Sequence, residues 1–315
     1  RFTPVSATAA VAASPPAGTP AIWKIRLGTL APKQSPWGKV LGGWAKAVEM
    51  KTGGAVKVEW GWNGTQGPEP EVLSKVASGA LHGAVLTGAA LSDIYRPIAA
   101  LQMPGAFPTW ADLDRARAIV RPEIDRAMKA QGFYLAFWAD LGERHIFARG
   151  FEVTAPGDLR GKDPDDAHLD LTLLTFIRTA GICDPQRMGV TPAGPRSIDF
   201  SVAPASVAGR GSFDHSTSVP AGFEIGALVF SEAALAALPR AYQTILEQMS
   251  APAERQMNLV VRREDAALFA QLSPQLTVTK PTLAQAAEWD HVFKDVCRSL
   301  KTLLPGGVVS AIGYC

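Results

Sequence analysis

Between Ile22 and Thr87 the chain switches repeatedly between two periodicities, and this constrains its fold more than any other feature. Ile22–Gly28 (IWKIRLG) and Val56–Trp60 alternate apolar with polar residues, the period of a half-buried strand. Between them Val40, Leu41, Trp44, Val48 and Met50 recur at near-helical spacing, and Gly53-Gly54 ends the run. Glu71–Ala80 repeats the helical pattern up to Gly79, and Gly83–Thr87 (GAVLT) reads as a short buried strand. A strand–helix–strand–helix–strand series with short links predicts a parallel sheet covered by helices on both faces.

The rest of the chain extends this into a second unit. Ala111–Gln131 reads as a long helix with Asp112 and Asp114 in its first turn, where the helix dipole favours acids. Phe133–Ala139 and His145–Ala148 read as strands that cross between units. Leu169–Ala180 is helical, a strand surrounds Ile198, and Gly226–Phe230 is another strand. Glu232–Leu272 is predicted helical with breaks at Pro239 and near Pro252, and Leu283–Leu303 forms a last helix. Residues 21–137 with part of 222–280 are assigned to lobe I, and 138–221 with part of 239–272 to lobe II. Residues 281–315 form a C-terminal helix and tail packing on both. Two such units leave a cleft between them, a favoured place for a ligand.

Composition excludes several classes. With 31 Lys and Arg against 29 Asp and Glu, the net charge of +2 supplies no basic patch for a nucleic acid. No apolar run approaches the roughly 20 residues that span a bilayer as a helix. Residues 1–20 are rich in Ala, Pro, Ser and Thr, and ATAAVAA at 7–13 is of the kind that ends a signal peptide. They are read as a disordered linker or a signal-peptide remnant, and either reading favours export. The three cysteines form no CxxC pair; they are either three buried thiols or a Cys297–Cys315 disulfide with Cys183 left over.

Signatures of covalent chemistry are weak. There is no GxSxG, HExxH, phosphate-binding loop or GxGxxG following a strand. The five histidines are scattered, and no cofactor is implied. His215, in the loop GSFDHSTS, pairs with Asp214 or Asp199 as the only candidate titratable couple. Asp163–Asp166 with His168 could suggest a cation site, but capping of a helix start accounts for it better.

Several segments resemble the extracytoplasmic solute-binding subunits of tripartite ATP-independent periplasmic (TRAP) transporters, the DctP-type family. These are IRLGTLAPKQSPWGKVLGGWAKAVEMKTGGAVKVEW, GPEPEVLSKVASGALHGAVLTGAAL with ALQMPGAF, GERHIFARGFEVTAPGDLRGK, PRSIDFSVAP and LVFSEAALAALP. The resemblance covers about Ile22–Ala251. It implies a two-lobed α/β fold of the periplasmic-binding-protein type, each lobe a mixed sheet flanked by helices, with a long hinge-spanning helix. It also implies a periplasmic, non-enzymatic protein that closes on a small-molecule ligand and delivers it to the permease subunits of a TRAP-type transporter.

One departure bears on the ligand. After the Asp-Leu-Arg-Gly turn the family places an arginine that grips a carboxylate, and here Asp165 stands about there, preceded by Pro164. Arg144, Arg178, Arg187 and Arg196 are the candidate substitutes, and Phe200 replaces a usual glycine. The ligand is therefore expected to be something other than a simple C4-dicarboxylate, apolar or lipid-like in character. The alternatives are a periplasmic carrier handing a hydrophobic molecule to a partner protein, or an enzyme on the same scaffold. The candidate ligand-binding residues are Lys33, Trp37, Glu69, Thr87, Met103, Phe107, Trp138, Arg144, Asp199, Phe213 and His215. Trp37, Phe107, Trp138 and Phe213 are assigned to apolar walls; Thr87, Arg144 and Asp199 are assigned to orienting contacts.

Overall fold

The computed structural model describes residues 22–164, 170–183, 197–202 and 213–315 of the 315. The periodic N-terminal segment forms β1 (Trp23–Gly28), α1 (Pro36–Lys51), β2 (Val56–Gly61), α2 (Glu69–Ala77), β3 (Gly83–Thr87) and α3 (Gly88–Ile94). Ser35 caps α1 by accepting from the Gly38 N–H, which satisfies a donor that the helix leaves unpaired. A 3-10 turn (Arg96–Gln102) leads to α4 (Trp110–Ala130) and β4 (Phe133–Trp138). In lobe I the strand order is β2-β1-β3-β9-β4, where β9 is Gly226–Ser231. β1 is parallel to β2 and β3, and β9 runs antiparallel between β3 and β4.

The second sheet has the order β10-β7-β5-β6 and is built from β5 (Gly142–Ala148), β6 (Ile198–Val202), β7 (His215–Thr217) and β10 (Thr277–Thr279). A short strand β8 (Phe223–Glu224) pairs with the start of β5. The remaining helices are α5 (Leu171–Thr179), α6 (Glu232–Ala236), α7 (Arg240–Leu272), α8 (Leu283–Leu303) and α9 (Val308–Ile312). The chain crosses between sheets at 139–141 and again at Ile225, and the two crossings are bonded to each other. Ala139 N donates to Gly226 O at 2.8 Å and Leu141 N to Glu224 O at 2.9 Å. A Cβ on Gly226 would lie 2.8 Å from Leu86 O and 2.9 Å from Ala139 O, so the crossing closes only around glycine.

The core lies on both faces of the first sheet. One face packs Leu27, Leu41, Trp44, Val48, Phe230, Met257 and Val261 between β1, α1, β9 and α7. The other runs from Leu86, Leu91, Val120 and Ile124 into lobe II, where Phe176, Phe200, Trp289 and Phe293 pack together. Among the described residues no helix is long and apolar enough to cross a membrane.

The structure corrects one expectation. Pro239 caps α7, but the helix then runs unbroken for 33 residues, about 50 Å, through Pro252. An interior proline costs about 3 kcal/mol. Burial of Leu246, Ser250, Ala253, Met257 and Val261 at helical spacing along one face of α7 outweighs that cost.

Cys297 and Cys315 are joined by a disulfide across 18 positions, and Cys183 is half-buried outside it. The bond ties α8 to the tail that carries α9 onto α4 and the 96–102 turn. A closed loop of this length is expected to contribute about 3 kcal/mol through the unfolded state. A Cys315→Ser variant should show that loss in urea unfolding, and dithiothreitol should affect only the parent protein.

Candidate functional site

A cavity of about 610 Å³ lies between the lobes. Lobe I contributes Glu69 and Pro70 from the start of α2, the α3 segment from Ala89 to Ile94, and Arg96. Lobe II contributes Asp170 and Leu171 at the start of α5. Glu69 is held by Thr87, whose N–H and hydroxyl each donate to one carboxylate oxygen at 2.6 Å. Burial, reinforced by Asp93, pushes the Glu69 carboxyl above its ordinary value against those two bonds.

Behind Asp170 lies a buried polar cluster drawn from both lobes and the crossing. Asp170 caps α5: its Oδ1 accepts from Thr172 N at 2.8 Å, Leu173 N at 3.0 Å and Thr172 Oγ1 at 2.5 Å. Its Oδ2 accepts from Arg144 Nη2 at 2.9 Å and Gln102 Nε2 at 3.0 Å. Gln102 Oε1 in turn accepts from Ile225 N at 3.1 Å. A Cβ on Gly88 would stand 2.5 Å from Gln102 Oε1, so glycine lets this side chain through. Arg144 is 1% exposed, and its Nε lies 3.5 Å from Glu224 Oε1.

Burial pushes the Glu224 carboxyl up to about 7; Asp170 and Asp199 add to the shift and Arg144 opposes it. Its folded value lies above its unfolded one, so its contribution is complete below about pH 4.5 and is lost as pH rises through about 7. At neutral pH this costs on the order of 3 kcal/mol. Glu224→Gln should flatten stability between pH 4.5 and 7 relative to the parent protein. Parallel urea-unfolding curves with identical pH slopes would contradict the assignment.

A second buried cluster braces the crossing. Asp140, fully buried, accepts from Arg117 Nη2 at 2.6 Å and Arg262 Nε at 2.9 Å. Arg262 also forks onto Asp114 with two 2.7 Å bonds and lies 4.5 Å over the Trp110 ring. Trp37 Nε1 donates to the Asp140 carbonyl at 2.8 Å. From α7, Glu254 accepts from Trp138 N and Asp265 from Glu143 N.

The structure divides the residues expected at the site. Glu69 and Thr87 meet at the cavity, and Arg144 lies just behind it. Lys33 is exposed in the loop before α1, and Trp37 is half-buried with its indole spent on the crossing. Met103, Phe107 and Trp138 are 1%, 3% and 2% exposed in the core, and none of them lines the cavity. Asp199 pairs with Phe147 on the opposite face of β5 from Arg144, because neighbours along a strand point to opposite sides. It accepts there from Ser201 Oγ at 2.6 Å. His145 shares that face and stacks on Phe269 at 3.9 Å, and burial pushes its imidazole down to about 4. Phe213 and His215 sit beside Ala148 at the far end of β5, and Asp214 there accepts from Gly150 N and contacts His215 Nδ1. Phe200 packs edge-on against Phe176 in the core, not in the cavity. Arg178 is exposed; Asp165, Asp166, His168, Arg187, Arg196 and 1–20 lie outside the described residues. Among the described residues no group of three acids, histidines or cysteines could hold a metal ion.

Sequence reasoning missed Asp170, Gln102 and Glu224. Asp170 had a readable signal, an aspartate before the apolar run LTLLTFI with Thr172 beside it, which marks a helix cap.

Two sheets flanked by helices, a doubled crossing and a long spanning helix define a two-lobed α/β fold. Residues 27–163 match the family model described as DctP, bacterial extracellular solute-binding protein, family 7. A solute-binding protein of Verminephrobacter eiseniae is 28% identical over 141 residues, 44% of this chain and 41% of its own length. One of Chromohalobacter salexigens is 26% identical over 162 residues, 50% of this chain and 47% of its own. The match thus spans less than half the length of these relatives. Among solved structures, a TRAP periplasmic solute-binding protein from Ochrobactrum anthropi superposes with a TM-score of 0.81 at 15% identity, covering 93% of this chain and 94% of that one. A TRAP periplasmic solute-binding protein from Sulfurospirillum deleyianum with bound succinate gives 0.79 at 16% identity over 93% and 99%. The resemblance to DctP-type TRAP solute-binding proteins is thus matched by the family model over residues 27–163 and, in fold, by these solved structures.

Proposed function

We propose that this protein is the extracytoplasmic solute receptor of a TRAP-type transporter. It works in the periplasm, captures a small solute between its lobes, and hands it unchanged to membrane permease subunits. The observation that carries this reading is the cavity walled by both lobes beside a crossing of two bonded strands. A solute touching both walls stabilises the closed arrangement, and its binding energy shifts the population toward closure.

The solute is not a simple C4-dicarboxylate. Glu69, Asp93 and Asp170 face the cavity, with Arg96 as the one cation on its wall among the described residues, so a dianion meets mainly like charge. An apolar or lipid-like ligand draws no support from these walls, since Met103, Phe107 and Trp138 are packed in the core. A small polar solute fits the mixed lining best. Native mass spectrometry of the purified protein tests this reading: a retained small solute, unaltered on release, is the expected result. A retained C4-dicarboxylate would refute the ligand class, and a chemically changed solute would refute the receptor reading.

A further inference from the structure

The cavity wall includes Asp170, and the Asp170 carboxylate is bonded to the buried guanidinium of Arg144. Asp170 is part of the cavity wall; Arg144, 1% exposed, is not. Five donors reach the two Asp170 oxygens: Thr172 N, Thr172 Oγ1, Leu173 N, Arg144 Nη2 and Gln102 Nε2. A carboxylate offers about four lone-pair sites, so this one is saturated. On its other side Arg144 faces Glu224 at 3.5 Å. One buried cation therefore stands between two carboxylates, and no net positive charge remains to draw in a third.

We propose that Asp170 is a specificity-determining residue. It takes the position on Arg144 that a solute's carboxylate would take, so the bound solute presents an uncharged end to this part of the cavity. The inference rests on the receptor reading above and names the chemical class that the receptor selects. Asp170 is built for the position. Its cap role fixes the carboxylate through backbone N–H groups of α5, and Gln102 fixes it from lobe I, so it cannot swing aside without uncapping a helix. Leu171 lies next to it on the wall and suits an uncharged group.

The test is to free the guanidinium, with every protein in it, the parent included, carrying Glu224→Gln so that no second carboxylate neutralises Arg144. Asp170→Ser keeps a capping oxygen and removes the carboxylate. Calorimetric titration with succinate and with pyroglutamate should show at least about tenfold tighter binding by Asp170→Ser than by the parent protein. Adding Arg144→Gln to that variant should abolish the gain. A parent protein that binds either acid tightly and loses it on Arg144→Gln would overturn the inference while upholding the receptor. An Asp170→Ser protein that unfolds cooperatively yet gains no acid binding would overturn it equally. If the serine variant does not fold, Asp170→Asn, which keeps the cap and drops the charge, is titrated with the same expectation and the same refuting result. A parent protein that retains no solute of any kind in native mass spectrometry would overturn the receptor reading, and this inference with it.

Discussion

Asp140→Ala should destabilise the protein by about 3–5 kcal/mol in urea unfolding. The carboxylate is fully buried and holds Arg117, which is itself 3% exposed, at 2.6 Å. Without Asp140, Arg117 keeps only Asp114 at 3.6 Å and the Trp138 ring at 5.0 Å. Neither replaces a direct bond to a buried counter-ion, and most of the cost is that of leaving a desolvated cation unpaired. The contrasting variant is Asp114→Ala. Its carboxylate is 45% exposed and can be replaced by water, so the loss should stay under about 1 kcal/mol despite its two bonds to Arg262. Equal losses from the two variants would show that burial does not set the strength of this brace.

Arg144→Met should cost a similar amount, about 3–5 kcal/mol at pH 7, for the opposite reason. It leaves two buried carboxylates, Asp170 and Glu224, without their cation. The loss should shrink in acid, because Glu224 already titrates near 7 beside Arg144 and takes up a proton more readily without it. Asp170→Ser in the Arg144→Met background removes one of the stranded charges. The double variant should recover more than about 1 kcal/mol relative to the sum of the single losses. Simple additivity would mean that Arg144 and Asp170 do not act as a pair.

The fold is legible where one period rules. The alternation of Ile22–Gly28 and the helical spacing of Leu41, Trp44 and Val48 both end up on the faces they imply, because one side of each element is buried. Pro252 misleads because local propensity favours a break there, while the packing that overrides it comes from α1 and the crossing, far away in sequence. The site is harder for the same reason. Arg144 can be picked as a polar residue on a crossing strand, but its partner Asp170 is 26 positions on, and Gln102 meets Asp170 across 68. Large apolar residues such as Phe107 and Trp138 can be wall or core, and both are buried by contacts from segments distant in sequence, which spacing alone does not reveal.

Pro252 has one more effect. It has no N–H to give to the Gln248 carbonyl, so the long helix lacks a rung there, two residues before Glu254 makes its contact with Trp138. A rod with a missing rung flexes at that point first. The stretch beyond it carries Glu254, bonded to the end of β4, and Arg262, Asp265 and Phe269, fastened to the crossing or to β5. Met257 and Val261 nevertheless keep that stretch seated in the lobe I core, so the missing rung lets the helix adjust to that core, and only its last turns, from Asp265 to Phe269, would follow the second sheet if one lobe turned against the other.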